Sequence, residues 1–214
     1  MQSTYWKPLW AQIQRESNIH PHCEIERANL FASHDGGSTE YEVLNWLRSS
    51  IHTMKPEYIF ESGAYQGIGT LALASACREN GFGKVHSVEV EEEFVNRSRH
   101  ILKTEGLSEW AVVHHADSLD FIDSNEVVFE IGFFDSILSI RPTECQLLLA
   151  RKQLTKLAVF HDTSPYRSIS AEHLTPAEHQ EAYRLRLHAM VEHPRCTGFF
   201  DSKLSRGFMA VFFE

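Results

Sequence analysis

The residues with the clearest chemical meaning lie in one short segment, Tyr58-Ile-Phe-Glu-Ser-Gly-Ala-Tyr-Gln-Gly-Ile-Gly-Thr70. The segment starts as a β-rich run, passes through a glycine turn and continues into a predicted helix, Leu71–Glu79. Gly63 and Gly67 have no Cβ, so the chain can turn tightly there and a ligand can approach the backbone closely. The N-terminus of the following helix offers unpaired N–H groups to the same ligand.

The chemistry of this segment favours a cationic ligand over a diphosphate. A dinucleotide fingerprint would need glycine where Tyr65 stands, and a P-loop would need lysine where Gly69 stands. Glu61 would repel a diphosphate, whereas it would attract a ligand with an amino group. The pattern E-x-G-x-x-x-G therefore predicts a small-molecule site at Glu61, Gly63 and Gly67, with a plain strand-to-helix turn as the alternative.

The elements that must position this site alternate between β-rich runs and amphipathic stretches. Such alternation is typical of an α/β fold with a parallel sheet covered by helices on both faces. Two further runs after residue 194 are expected to close the sheet edge in antiparallel fashion. The predicted strands are Tyr58–Ser62, Val85–Val90, Ala111–Ala116, Glu130–Asp135, Leu157–His161, Thr197–Phe200 and Phe208–Phe213, with a long helix at Thr175–Glu192.

The first 54 residues show no strand alternation and are predicted to form a helical cap or lid, residues 1–54, on a core of residues 55–214. Two helices are expected there, Trp6–Ser17 and Thr39–His52. Ser38 or Thr39 would cap the second helix, and Glu42 lies in capping-box register with Thr39. The whole chain is predicted to be one compact domain.

Composition narrows the class of partner. The 214 residues carry a formal charge of −9, so the basic footprint of a nucleic-acid-binding protein is missing. No apolar run reaches the roughly 18 residues that a membrane-spanning helix needs, and no export signal is recognisable. The four cysteines are widely separated, which fits a reduced cytoplasm better than a disulfide scaffold or a zinc site.

From Tyr58 to Phe213 the sequence resembles the class I S-adenosylmethionine-dependent methyltransferases, with the glycine segment as their first motif. In that family an acid at the end of the second strand binds the ribose hydroxyls, a role that the resemblance gives to Glu89. The neighbouring acids Glu91–Glu93 are expected to favour a helix N-terminus instead. The resemblance also places Asp117 against the adenine amine, with an added hydrogen bond from Ser118. Capping of the next helix is the alternative role for Asp117.

The triplet His161-Asp-Thr163 narrows the resemblance to small-molecule O-methyltransferases of the macrocin and cephalosporin-biosynthesis type, with catechol-type enzymes more distant. Such enzymes often hold Mg²⁺ with acids after the fourth and fifth strands, which points to Asp135 and Asp162. Both positions 161 and 163 depart from the family patterns, so metal dependence stays open. Asp135 is also expected to contact the cofactor, and Arg141 and Glu144 to form at most a surface ion pair.

The predicted function is methyl transfer from S-adenosylmethionine to a hydroxyl of a small molecule, in a Rossmann-like fold. His161 is expected to be the catalytic base, with Asp162 and Asp135 either binding Mg²⁺ or orienting the histidine. Small-molecule N-methylation and a non-catalytic S-adenosylmethionine-binding protein are the alternatives. The expected partner is a small-molecule acceptor, and neither nucleic acid nor a membrane is expected as a partner. The enzyme is expected to be cytoplasmic. Whether it forms a homodimer is left open.

Overall fold

The computed structural model describes residues 31–214 except positions 36, 165–176 and 204. The predicted helix Trp6–Ser17 therefore lies outside the described residues, as does most of the loop between β5 and the last helix. Helices and strands alternate along the rest of the chain. In order they are α1 (Tyr41–Met54), β1 (Tyr58–Ser62), α2 (Ile68–Asn80), β2 (Lys84–Glu89), α3 (Glu92–Thr104), β3 (Ala111–His115), α4 (Ser118–Ser124), β4 (Phe129–Phe134), α5 (Arg141–Ala150), β5 (Leu154–His161), α6 (Ala177–Val191), β6 (Cys196–Ser202) and β7 (Phe208–Phe213).

The strands form one seven-stranded sheet in the order β3-β2-β1-β4-β5-β7-β6. The first five strands are parallel, and β7 is antiparallel to both β5 and β6. The predicted fold, with five parallel strands and two antiparallel strands at the edge, is confirmed. Because the chain leaves β1 in one direction and returns to its other side at β4, a crevice opens there at the carboxyl ends of the strands.

Hydrophobic residues pack on both faces of the sheet. Neighbouring residues of β1 point in opposite directions, so Ile59 belongs to the core under α1, α2 and α3, and Phe60 to the core under α4, α5 and α6. The two layers hold the sheet rigidly between them. This fixes the positions of the strand ends, where the predicted site residues lie.

Helix α1 differs from the predicted lid. Its buried residues Leu44, Leu47 and Ile51 belong to the same core as the sheet, so the helix forms part of a covering layer. The capping prediction is also wrong, because Glu40 is the N-cap residue and no side chain caps the helix. The Thr39 hydroxyl donates to Asp135 instead. The predicted division at residues 54 and 55 stays a prediction for the part outside the described residues.

Candidate active site

A cavity of about 480 Å³ opens at the carboxyl ends of the parallel strands, at the crevice between β1 and β4. It gathers side chains that follow all five parallel strands. Of the predicted site residues, His161 and Gly67 do not line it. Those that do are Glu61, Gly63, Glu89, Asp117, Ser118, Asp135 and Asp162.

The glycine turn after β1 is needed for contacts within the protein. Gly63 and Gly67 both have a φ of 83°, which a residue with a side chain rarely adopts. A Cβ at Gly63 would lie 2.6 Å from the backbone oxygen of Asp135, and one at Gly67 would lie 2.9 Å from Cα of Ser98. Gly63 thus lets the ends of β1 and β4 approach each other beside the cavity, while Gly67 lets α2 pack against α3.

Glu61 presents an unpaired carboxylate oxygen beside the cavity. The side chain is 1% exposed, and the Thr70 hydroxyl donates to its Oε2 at 2.5 Å. Its Oε1 has no hydrogen-bond partner among the described residues. Burial, with smaller contributions from Asp135 and Glu89, raises the pKa of Glu61 to about 7 in spite of hydrogen bonds from Thr70 and Ser87. An ammonium group at Oε1 would supply the missing donor and the missing charge.

Glu89 lies at the end of β2 and is buried, whereas Glu91–Glu93 are exposed. Its Oε2 accepts a hydrogen bond from the Tyr65 N–H at 2.8 Å, and its Oε1 accepts from the N–H groups of Val90 and Glu91. These backbone donors fix the carboxylate against the cavity. Oε2 has a second lone pair for a ligand hydroxyl, whereas the two N–H groups occupy both lone pairs of Oε1.

Asp117 and Ser118 follow β3, and the Asp117 carboxylate and the Ser118 hydroxyl both form hydrogen bonds within the protein. Asp117 Oδ1 caps α4 by accepting from the N–H groups of Leu119 and Asp120, as the alternative prediction had it. The Ser118 hydroxyl donates to Glu144. The proton of this hydroxyl is therefore used within the protein, and the predicted hydrogen bond between Ser118 and adenine stays a prediction.

Glu144 and Arg141 are buried, which corrects the predicted surface ion pair. Glu144 accepts hydrogen bonds from the hydroxyls of Ser62, Ser118 and Ser136. These serines follow three different strands, so Glu144 links the strand ends beneath the cavity. Burial raises the pKa of Glu144, although the three hydroxyls and Arg141 oppose that shift.

The ends of β4 and β5 carry a dense network of charged groups. Asp135 Oδ1 lies 3.0 Å from Arg141 Nη2 and 3.0 Å from His161 Nδ1. Arg141 also donates from Nη1 and Nη2 to Asp162 Oδ2, at 3.1 Å each, and Arg206 Nε donates to Asp162 Oδ1 at 2.7 Å. Both aspartates are thus paired with cations of the chain.

His161 is completely buried between two carboxylates. Its Nε2 lies 2.5 Å from Glu40 Oε2, and its Nδ1 faces Asp135. Burial alone would lower the pKa of His161, but Asp135, Asp162 and Glu40 outweigh it and raise the pKa to about 10. Because His161 and Arg206 outweigh the opposite effect of burial, the pKa of Glu40 falls to about 2. His161 is therefore an imidazolium at neutral pH and does not border the cavity.

The predicted metal ligands do not fit Mg²⁺. The ligand atoms of Asp135, His161 and Asp162 lie within 4.8 Å of one another, so spacing alone would admit an ion. A magnesium ion binds through free carboxylate oxygens and water. Here guanidinium and imidazolium groups already contact the carboxylates, and the histidine has no neutral nitrogen to offer.

The sequence analysis did not identify three residues of this network, Glu40, Arg141 and Arg206. None of them lies in a recognisable motif. Arg141 does carry one signal, because it is the first residue of α5, where the helix dipole disfavours a positive charge. An arginine at such a position needs a specific acidic partner, and the nearest strand ends supply two.

One protein-family model matches the part of the chain that carries most of this site. Residues 60–163 match the model of a protein family described as a methyltransferase domain. This segment is thus similar to methyltransferase domains. It runs from within β1 to just after β5 and includes strand-end residues that border the cavity. No curated protein sequence matches the chain.

Solved structures share the fold over nearly the whole chain. A methyltransferase from Podospora anserina, determined with S-adenosylhomocysteine, is 14% identical, with 100% of this chain and 98% of that chain covered at a TM-score of 0.73. The O-methyltransferase TomG of Streptomyces achromogenes, involved in tomaymycin synthesis, is 14% identical at a TM-score of 0.70, covering 100% of this chain and 91% of that chain. An O-methyltransferase from Bacillus cereus is 18% identical at a TM-score of 0.68, covering 94% of this chain and 97% of that chain.

The matching methyltransferase-domain model supports the predicted enzyme class, an S-adenosylmethionine-dependent methyltransferase, and the solved structures confirm the fold. The narrower resemblance to the macrocin group stays a prediction. In the described part of the methyltransferase, no helix has the length and apolar character needed to cross a bilayer. The predicted cytoplasmic location stays a prediction.

Proposed function

We propose that this methyltransferase transfers a methyl group from S-adenosylmethionine to a hydroxyl oxygen of a small molecule, which leaves S-adenosylhomocysteine and releases the hydroxyl proton to solvent. The observation that carries the cofactor assignment is Glu61, a buried carboxylate beside the cavity with Oε1 unpaired among the described residues. A sulfonium amino acid brings the ammonium group that this oxygen lacks. Two of the similar structures are named O-methyltransferases, which supports oxygen as the accepting atom.

The cofactor would lie along the ends of β1, β2 and β3. In this proposal Glu61 binds the amino group, and the backbone at Gly63 passes beside the methionine part. Glu89 accepts a ribose hydroxyl through the lone pair that the Tyr65 N–H leaves open on Oε2. Asp117 accepts from the adenine amine through Oδ2, since Oδ1 caps α4.

The acceptor would enter at the ends of β4 and β5, where Asp135 borders the cavity. The Ser38 hydroxyl also borders it, is buried and has no partner among the described residues. Ile137 and Ile140 supply apolar wall on the same side. We place the acceptor hydroxyl near Asp135 and Ser38, in line with the sulfonium methyl. Holding the two reactants in this geometry lowers the barrier by removing the entropy cost of their alignment.

His161 acts in this proposal as a positioning residue. As an imidazolium held by Glu40, it holds the Asp135 carboxylate in place through Nδ1, and it cannot accept a proton from the acceptor. The predicted role as general base does not fit this environment. His161→Gln should slow transfer while leaving the pH profile between about pH 6 and pH 8 unchanged, because His161 does not titrate in that range. Loss of an inflection near neutrality would restore the base assignment.

The cofactor assignment can be tested by calorimetry with S-adenosylmethionine. Glu89→Ala should weaken binding by about 1.5–3 kcal/mol, tenfold or more, because hydrogen bonds to a charged acceptor are strong. Glu91→Ala is the matched control, since Glu91 is an exposed acid two positions along the same run. Equal effects of the two variants would contradict the ribose role of Glu89.

The transfer itself can be tested with labelled S-adenosylmethionine and a panel of hydroxylated compounds, each paired with its amine analogue. Methylation of the hydroxyl series, located by mass spectrometry, is the expected result. Preferential labelling of the amines would make the enzyme an N-methyltransferase. Cofactor binding without any transfer across both series would favour the non-catalytic alternative.

A further inference from the structure

The two aspartates at the ends of β4 and β5 have every carboxylate oxygen bonded to a donor of the chain. Asp135 Oδ1 contacts Arg141 and His161, and Asp135 Oδ2 accepts from the Thr39 hydroxyl at 2.5 Å. Asp162 Oδ2 accepts from Arg141 and Asp162 Oδ1 from Arg206. A metal ion would therefore meet a donor of the chain at every one of these oxygens.

The charges of the pair are also balanced within the chain. Two carboxylates face two guanidinium groups, and the second pair, Glu40 with His161, is balanced in the same way. A divalent ion would add two uncompensated positive charges beside guanidinium groups that are largely buried. Such an excess is strongly unfavourable in a medium of low dielectric constant.

Arg141 cannot easily move aside. It is 4% exposed, and Nε and Nη2 donate to the backbone oxygen of Ser136, while Nη1 donates to that of His161. These bonds hold the guanidinium between the two strand ends. Its plane therefore bridges both carboxylates, the position that a shared metal ion would take.

We propose that Arg141 takes the place of a divalent cation in this methyltransferase, so that the enzyme positions Asp135 without a metal. Arg141 is a positioning residue in this assignment, because its hydrogen bonds go to Ser136, His161 and Asp162. Methyl transfer should therefore be insensitive to chelators, an expectation that rests on the function proposed above. The expectation that the chain binds no metal ion at these aspartates does not depend on that function.

Metal binding can be measured directly by titrating Mn²⁺ into the full chain and following the free ion by electron paramagnetic resonance. The wild-type chain should show no site of micromolar affinity. Arg141→Ala should create one, with affinity at least tenfold above the wild type, because it frees carboxylate oxygens on two aspartates. Adding Asp162→Asn to Arg141→Ala should remove the new site again.

Two controls separate the charge of Arg141 from general disruption. Arg141→Lys restores a cation and should again exclude Mn²⁺. Arg186→Ala removes an arginine whose bonds go to Ser139 and Thr143, and it should leave Mn²⁺ binding unchanged. If Arg141→Ala does not fold, as judged by circular dichroism, the wild-type titration and Arg141→Lys still decide the question.

Tight Mn²⁺ binding by the wild-type chain that is lost in Asp162→Asn would overturn the proposal. So would transfer that stops on treatment with a chelator and returns with Mg²⁺. Calorimetry with S-adenosylmethionine on the same samples keeps the two proposals apart. A chain that binds neither metal nor cofactor would refute the proposed function while leaving the metal-free network intact.

Discussion

The two halves of the cavity use the same residue types in opposite ways. At the ends of β1 to β3, the carboxylates of Glu61, Glu89 and Asp117 keep lone pairs for a ligand. At the ends of β4 and β5, the carboxylates of Asp135 and Asp162 are instead paired with the cations Arg141 and Arg206. An acid at a strand end is therefore not in itself a ligand site. What matters is whether the fold also delivers a cation to it.

The largest expected difference between the halves concerns stability. Asp162→Asn removes the negative charge that pairs with the guanidinium groups of Arg141 and Arg206. This loss should lower the free energy of unfolding by about 3–5 kcal/mol. Denaturant unfolding followed by circular dichroism measures this loss. Asp123→Asn is the control, because Asp123 is 75% exposed in its ion pair with Arg151 and should contribute less than about 1 kcal/mol. A loss at Asp162 no greater than at Asp123 would contradict the buried network.

At the ends of β1 to β3, substituting an acid should weaken ligand binding without weakening folding. Glu61→Gln keeps the shape of the side chain and removes a charge that burial disfavours, so the free energy of unfolding should stay equal or rise. The affinity for S-adenosylmethionine should nevertheless fall by about 1.5–3 kcal/mol, because the ammonium group loses its charged partner. Thermal unfolding and calorimetry on the same variant measure both quantities. Weaker folding with unchanged affinity would make Glu61 a structural residue.

The contrast between the halves also explains what the sequence could predict. Glu61, Gly63 and Gly67 are neighbours in the chain, so their spacing alone predicts a turn that receives a ligand. The alternation of strands and helices likewise predicts the sheet, because each unit is formed by a local hydrophobic pattern. Both kinds of information are contained in short segments.

The network at β4 and β5 could not be predicted in this way. His161 and Glu40 are 121 positions apart, and Arg206 lies 44 positions from Asp162, so only the folded sheet brings them together. The sequence identifies Asp135, His161 and Asp162 as polar residues at strand ends, which suits a metal or a base equally well. The cations that exclude a metal come from a helix start and from the turn between β6 and β7.

A pH titration of cofactor binding sharpens the comparison further. The pKa of Glu61 is raised to about 7, and only its ionised form can pair with an ammonium group. Affinity for S-adenosylmethionine should therefore rise from about pH 6 to about pH 7.5, by at most about tenfold per pH unit, and then level off. Glu61→Gln should abolish this rise, whereas Glu91→Gln should retain it. Calorimetry in buffers of different ionisation enthalpy should show a proton released on binding near pH 6.5.

The smallest effect is expected at Ser118, where the sequence predicted a contact with the cofactor. Its hydroxyl donates to Glu144, together with those of Ser62 and Ser136, so Ser118→Ala removes one of three donors from a buried carboxylate. We expect a loss of about 1 kcal/mol in the free energy of unfolding, the usual share of one hydrogen bond. Affinity for S-adenosylmethionine should change less than twofold, since the hydroxyl proton is donated to Glu144. A tenfold loss of affinity without a loss of stability would show that the hydroxyl leaves Glu144 when the cofactor binds, and that Ser118 belongs with the ligand-binding acids of the first three strands.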